Sequence, residues 1–169
     1  CEVCNGSGQE EFIDLKKLVG DENKTLREGA IVTTLPNGYI VYSQVTVEEL
    51  DKLCKAHGFN VDIPWKDLSE EQKDVVLNGS ERIKVFYGKH TLESRLRWTG
   101  FKAKPREEGF YKGVLPIMED ILKRDRNVNI LKFVSSRLCP SCHGVRIKAE
   151  YLKYKWQGFN FDSWMNFSL

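Results

Sequence analysis

Residues 1–8, CEVCNGSG, decide the fold because they form one half of a repeated motif. The other half is CPSCHGVR at residues 139–146. Both stretches read C-x-x-C-x-G-x-[GR], a pattern in which glycine lets the backbone turn so that amide groups face the two thiolates. Structural zinc is held by four ligands in a tetrahedron. The two motifs therefore predict one zinc site with four ligands, Cys1, Cys4, Cys139 and Cys142.

More than 130 residues separate the two motifs, so the intervening chain must leave the metal site and return to it. Two redox pairs and four unliganded thiols are the alternatives. Against redox pairs, neither motif lies in a thioredoxin-like βαβ setting. Against unliganded thiols, the glycine pattern shared by the two motifs would be a coincidence. The fifth cysteine, Cys54, occupies a core position of an expected helix, so we expect it to be buried. His143 could replace a cysteine, but four cysteines already complete the ligand set.

The overall composition is that of an ordinary globular protein. Of the 169 residues, 41% are hydrophobic and 30% are charged, and the formal net charge is only +2. Affinity for nucleic acid would therefore have to come from local clustering of charge. The sequence contains neither a signal peptide nor an apolar run of membrane-spanning length, which predicts a cytoplasmic protein without membrane contact. Because the chain begins with Cys and not Met, we expect it to be a piece of a longer one.

Three helices are predicted between the motifs. Residues 46–58 begin with the capping pair Thr46 and Glu49 and end at a glycine, and residues 69–79 repeat that arrangement with Ser69 and Gln72. In residues 113–127, a proline stands near the start of the helix and basic residues stand near its end.

The rest of the sequence predicts both strands and helix. Residues 30–43 predict a hairpin around Pro-Asn-Gly at 36–38, and residues 81–88 alternate like a half-buried strand. We expect residues 127–137 to continue as a helix that leads to Cys139, and residues 146–161 to form a strand with a turn at Gln157-Gly158. Since strands and helices do not alternate regularly, the predicted fold class is α+β, with short antiparallel strands and with the ends joined by the zinc site.

A basic stretch runs from Arg82 to Arg106, with eight Lys or Arg residues against one acid, Glu93. Aromatic residues are interleaved with these charges, a mixture suited to phosphate contact and base stacking. A solvated charged face is the alternative, and basic patches also bind protein partners. The candidate DNA-binding residues are Lys84, Lys89, Arg95, Arg97, Lys102, Lys104 and Arg106.

Catalytic patterns are missing from the sequence. It contains no phosphate-binding G-x-x-x-x-G-K-[ST] loop, and no nucleophile and base stand in a supporting context. We therefore expect no catalytic residues in this chain.

Several segments, in order, resemble the UvrA family, the damage-recognising ATPases of the bacterial ABC excinuclease in nucleotide excision repair. Besides the two cysteine motifs they are LREGAI, HGFNVDIPWKDLSEEQKDVVLNGS, FYKGVLPIMEDILKRD and FVSSRLCPSCHGVRIKAEYL. The resemblance covers nearly the whole chain. It implies the insertion domain of an ABC-type ATPase, with zinc as cofactor at the four cysteines and double-stranded, damaged DNA as partner.

The resemblance also implies a division of the chain. Residues 1–8 would be the first zinc knuckle, residues 9–137 the insertion domain, and residues 138–169 the second knuckle with the following strand of a signature subdomain. ATP and magnesium, the UvrB-binding region and the contacts of a homodimer would belong to other parts of the parent ATPase. Residues 88–109 look more like shorter UvrA paralogues associated with drug tolerance, so binding of the parent to UvrB is an open expectation.

Two other functions are compatible with the motifs. C-x-x-C-x-G-x-G knuckles also resemble the zinc repeats of DnaJ-type chaperones, which would make the chain a protein-interaction module. Those repeats are closely spaced, whereas here the two motifs enclose a domain. The inserted region could also be a steric lid without direct contact to DNA.

Overall fold

The computed structural model describes residues 1–88, 108–126 and 128–165. Within it the chain divides into two compact units. Unit 1 combines Cys1–Phe12 with Val134–Leu169, and unit 2 is Ile13–Phe133. The described helices and short strand pairs form an α+β fold, as predicted from the sequence. None of these helices has the length and apolar composition that a bilayer crossing requires.

Unit 1 contains two strand pairs. Strand β1 (Gln9–Ile13) follows the first cysteine motif and pairs with β6 (Val134–Leu138), which leads directly into Cys139. Beyond the second motif, a 3₁₀ helix at Ala149–Lys153 precedes a small antiparallel hairpin and a final helical turn. The hairpin strands and that turn are β7 (Lys155–Trp156), β8 (Phe159–Asn160) and α6 (Phe161–Met165).

Unit 2 holds the main hydrophobic core, which includes the buried side chains of Leu18, Leu50 and Met118. A 3₁₀ turn at Trp65–Asp67 lies between its second and third helices. In chain order, its other elements are α1 (Leu15–Leu18), β2 (Tyr39–Ile40), β3 (Val45–Thr46), α2 (Val47–Ala56), α3 (Glu70–Asn78), β4 (Ser80–Phe86), β5 (Glu108–Tyr111), α4 (Leu115–Arg124) and α5 (Val128–Leu131).

The structure confirms the three predicted helices between the motifs, and local sequence explains where each one begins and ends. Thr46 caps α2 by accepting a hydrogen bond from the Glu49 amide, and Leu50, Leu53 and Cys54 form its fully buried face. The predicted capping box at Ser69 starts α3 with both reciprocal bonds present. The third of these helices, α4, begins with a proline in its first turn and ends with two basic residues.

The predicted hairpin at residues 30–43 is present in part. An antiparallel bridge joins Thr34 to Ile40 across the turn, and the Leu35 amide donates to the Tyr39 carbonyl at 2.8 Å. The turn exists, because Gly38 donates to the Leu35 carbonyl, but the residues before it do not form a strand. Ile31 instead bridges to Val19, which diverts this run toward the end of α1. The residues after the turn form β2, which pairs with β3 across a second turn.

Two further expectations need correction. In the described part of residues 127–137, only Val128–Leu131 is helical. A strand, β6, leads into Cys139, because the partner β1 supplies a ladder that local sequence does not reveal. In the predicted strand at residues 146–161, the first part contains the 3₁₀ helix, while the turn at Gln157-Gly158 is confirmed with φ of 50° and 85°.

Two glycines fix the packing of α3 against the start of α4. Gly79 and Gly113 have φ of 93° and 79°, and each lies against the other's backbone. A Cβ atom at Gly113 would lie 2.4 Å from the Leu77 carbonyl oxygen. That carbonyl accepts a hydrogen bond from the Val114 amide at 2.8 Å. Only glycine permits this close backbone approach.

Replacing Gly113 by alanine should therefore destabilise unit 2 strongly. Gly58→Ala is the matched control, because its φ is 82° and no atom lies within 4 Å of the added Cβ. The control should lose about 1 kcal/mol for left-handed backbone strain, and Gly113→Ala about 3 kcal/mol or more. Urea unfolding followed by circular dichroism measures both losses. Equal losses for the two variants would contradict the close-approach explanation.

Candidate metal centre and nucleic-acid interface

The two cysteine motifs adopt the same backbone conformation. Residues with positive φ occupy equivalent places in both of them, namely Asn5, Gly6 and Gly8 in the first and His143, Gly144 and Arg146 in the second. A left-handed residue after each second cysteine turns the chain back over the sulfur atoms. The sequence repeat is therefore also a structural repeat.

Equivalent hydrogen bonds form within each motif, and a second pair of hydrogen bonds joins the two motifs. The Gly8 amide donates to Cys4 Sγ at 3.3 Å, and the Arg146 amide donates to Cys142 Sγ at the same distance. The Cys139 amide donates to the Gly8 carbonyl at 3.0 Å, and the Cys1 nitrogen donates to the Arg146 carbonyl at 2.8 Å. Each motif thus ends against the start of the other, in an approximately two-fold arrangement.

The four cysteine sulfur atoms form one compact cluster. All of them lie within 4.8 Å of one another, with 3.8 Å between Cys1 and Cys139 and 3.6 Å between Cys4 and Cys142. A tetrahedron with Zn–S bonds of about 2.3 Å has edges of about 3.8 Å. The donor set and its dimensions therefore fit a single structural zinc ion.

The surroundings of Cys4 favour the thiolate that zinc binding requires. Burial raises the pKa of the Cys4 thiol, but the Gly8 amide and the neighbouring Cys142 thiol outweigh it and lower that pKa to about 7. Cys54 behaves in the opposite way, since burial in α2 raises its pKa to about 12. Its fully buried thiol belongs to the core of unit 2, as expected.

The four-cysteine cluster stands alone as a candidate metal site in the part of the chain that the structure describes. Neither His143 nor His57 belongs to it, and His57 instead lies 2.9 Å from the Ser80 hydroxyl. The strands that leave the cluster carry a further contact that the sequence did not indicate. Arg137 on β6 pairs with Glu10 on β1 at 2.8 Å and lies over the Phe12 ring.

The structure describes one of the seven candidate DNA-binding residues. Lys84 lies exposed on β4, opposite Phe110 of β5, and its ammonium group is 5.9 Å from the centre of that ring. The other six candidates, Lys89, Arg95, Arg97, Lys102, Lys104 and Arg106, fall outside the described residues.

A second lysine near this surface was missed by the sequence analysis. Lys52 on α2 lies 5.9 Å from the centre of the Phe86 ring on β4. It pairs with the buried Glu49 at 2.7 Å, and the Glu49 carboxylate also accepts a hydrogen bond from the Phe86 amide. The spacing of Glu49 and Lys52 indicates a pair within one helix, but nothing local shows that this helix lies beside β4.

Comparison of the sequence with known proteins identifies the family. The family described as the UvrA DNA-binding domain matches residues 14–127. The chain belongs to the UvrA family. Its resemblance to that family, first inferred from motif order, is thereby confirmed. UvrA relatives include the UvrABC system protein A of Listeria innocua, 31% identical over 100% of this chain, and that of Brucella abortus, 31% identical over 92%.

The fold is shared with a solved structure, UvrA2 from Deinococcus radiodurans. The match has a TM-score of 0.65 and 23% identity, and it covers 96% of this chain and 20% of that one. The chain spans 17% of the length of the Listeria UvrA relative.

We expect the chain to bind one zinc ion. Cys4→Ser should abolish stoichiometric binding, because it removes a thiolate from a site without a spare sulfur. Cys54→Ala is the matched control, since it also removes a buried thiol but leaves the cluster intact. Elemental analysis after gel filtration measures zinc per chain. Full zinc content in Cys4→Ser, or its loss in Cys54→Ala, would contradict the assignment.

Proposed function

We propose that this chain is the zinc-stapled DNA-binding insertion domain of a longer UvrA-like ATPase that recognises damaged DNA in nucleotide excision repair. The match of residues 14–127 to the UvrA DNA-binding domain carries the proposal. The local excess of basic residues between Arg82 and Arg106 supports it, because phosphate contact requires such clustering in a chain of net charge +2.

In this proposal Cys1, Cys4, Cys139 and Cys142 hold zinc. Residues 1–8 and 138–169 belong to the zinc-bearing base, and residues 9–137 form the inserted domain. Metal binding at such sites contributes about 10 kcal/mol or more of apparent free energy, enough to hold the two ends together. The clustered sulfur atoms and the reciprocal hydrogen bonds support this role.

The basic residues would contact phosphates and not read base edges. A protein that detects damage cannot depend on sequence, so its affinity must come from the backbone and from the ease with which DNA deforms. The proposed contacts are Lys84, Lys89, Arg95, Arg97, Lys102, Lys104 and Arg106.

The remaining activities belong to the parent protein in this proposal. ATP and magnesium binding, contact with UvrB and formation of a homodimer would reside in the rest of the longer chain, and the parent would be cytoplasmic. The small share of each relative that this chain spans supports this division.

A salt titration tests the proposal. Binding to duplex DNA should weaken steeply as salt rises and should differ little among sequences, because released counterions supply most of the affinity. Arg95→Glu combined with Arg97→Glu should lower duplex affinity by about 10-fold or more and flatten the salt slope by about two phosphate contacts. Fluorescence anisotropy at several salt concentrations measures both quantities.

The matched control is Lys16→Glu combined with Lys17→Glu, which makes the same change in net charge on the exposed part of α1. This variant should bind nearly as the original chain does. Equal weakening by both double variants would show a general effect of charge, and absence of duplex binding at low salt would refute DNA binding by this chain.

The rival function, a module that binds a polypeptide, is favoured by one observation. Unit 1 exposes a cluster of aromatic side chains on its last described elements, with Tyr154 and Trp156 each 65% exposed and the ring centres of Trp156 and Trp164 5.2 Å apart. Exposed aromatic groups of this kind are common at protein interfaces. Binding of unfolded peptides by a chain that fails to bind duplex DNA would favour this function.

A further inference from the structure

The antiparallel pair of β4 and β5 has one buried and one exposed face. Val85 and Tyr111 point into unit 2 and are 1% and 2% exposed. Phe86 and Phe110 lie on the opposite face and are 39% and 44% exposed. In the register of the two strands, Lys84 is opposite Phe110 and Glu108 is opposite Phe86, so the two phenylalanines are diagonal neighbours. Diagonal neighbours on one face of a strand pair are about 7–8 Å apart, so a single oligonucleotide can reach both side chains.

Each of these rings is accompanied by a lysine. The Lys84 ammonium lies 5.9 Å from the centre of the Phe110 ring, and the Lys52 ammonium lies 5.9 Å from the centre of the Phe86 ring. The second lysine is held in place, because Glu49 pairs with it and also accepts the Phe86 amide hydrogen bond. An exposed ring beside a fixed cation is the combination that stacks a nucleobase and neutralises its phosphate.

We propose that Phe86 and Phe110 form a stacking platform for unpaired bases of DNA, with Lys52 and Lys84 contacting the adjacent phosphates. Paired aromatic residues on neighbouring strands of an exposed sheet face are a general means of binding single-stranded nucleic acid. The inference rests on the proposed function and makes it more specific. The favoured substrate becomes DNA in which bases have left the helical stack.

Charge favours a nucleic acid over a protein as the occupant. Lys52 and Lys84 are balanced by the buried Glu49 and by Glu108, so the excess positive charge comes from the basic stretch that carries Lys89 and Arg95 between β4 and β5 in the sequence. A phenylalanine ring offers a π-face without a hydrogen-bonding group, so stacking on it tolerates any base. This suits a protein that must respond to disrupted DNA without regard to sequence.

The test compares a duplex with the same duplex carrying a central unpaired bubble. Phe110→Leu keeps an apolar side chain but removes the aromatic face, and Phe110→Trp restores it. In the 169-residue chain, Phe110→Leu should lower affinity for the bubble by about 5- to 100-fold and leave duplex affinity within about twofold, whereas Phe110→Trp should bind the bubble at least as well as the original. Anisotropy measures affinity, and a fluorescent adenine analogue in the bubble reports stacking directly.

Phe159→Leu is the matched control, because Phe159 is also 44% exposed but lies on β8 in unit 1. It should leave bubble affinity and the stacking signal unchanged. Unchanged bubble affinity in Phe110→Leu, or an equal loss for bubble and duplex, would overturn the platform while the proposed DNA-binding function stands. Failure of the original chain to bind either DNA would overturn both.

Discussion

The four-thiol cluster is the constraint on which unit 1 depends. Its sulfur atoms come from two motifs more than 130 residues apart, so neither motif can complete the site alone. Mutual hydrogen bonds between Cys139 and Gly8, and between Cys1 and Arg146, lock the motifs together. The pairing of β1 with β6 continues this connection away from the sulfur atoms. A site of this kind closes a very long loop, and closing a long loop costs considerable chain entropy that a bound metal can offset.

In the described part of unit 2, the packed helices support the antiparallel pair of β4 and β5. The buried face of α2 and the close approach of Gly79 and Gly113 fix the helices, and Tyr111 anchors β5 by donating from its hydroxyl group to the Val76 carbonyl. The buried carboxylate of Glu49 then ties α2 to the backbone of β4. These contacts leave the opposite face of the strand pair exposed, and that face carries the aromatic and basic groups to which we assign DNA contact.

Features that depend on a few neighbouring residues could be predicted from the sequence, whereas contacts between distant segments could not. The cysteine motifs, the caps at Thr46 and Ser69 and the turn at Gln157-Gly158 are short signals, and each was predicted because its physics acts over a few residues. The strand that carries Cys139 was predicted as helix because its partner, β1, lies far away in the sequence. The hairpin at residues 30–43 is present only in part, because Ile31 bridges to the distant Val19 while Thr34 bridges to Ile40 across the turn. Lys52 was overlooked because its relation to Phe86 exists only after α2 and β4 have packed together.

The central claim, that one metal ion holds the two ends of the inserted chain together, can be measured by hydrogen exchange before and after zinc removal with a chelator. If the ion holds these ends together, the amides of Gly8, Cys139 and Arg146, together with those of β1 and β6, lose protection once zinc is removed. The amides of α2 and β4, which depend on the core of unit 2, should keep it. Unchanged protection in β1 and β6 after complete zinc removal, or a uniform loss across both units, would contradict the claim.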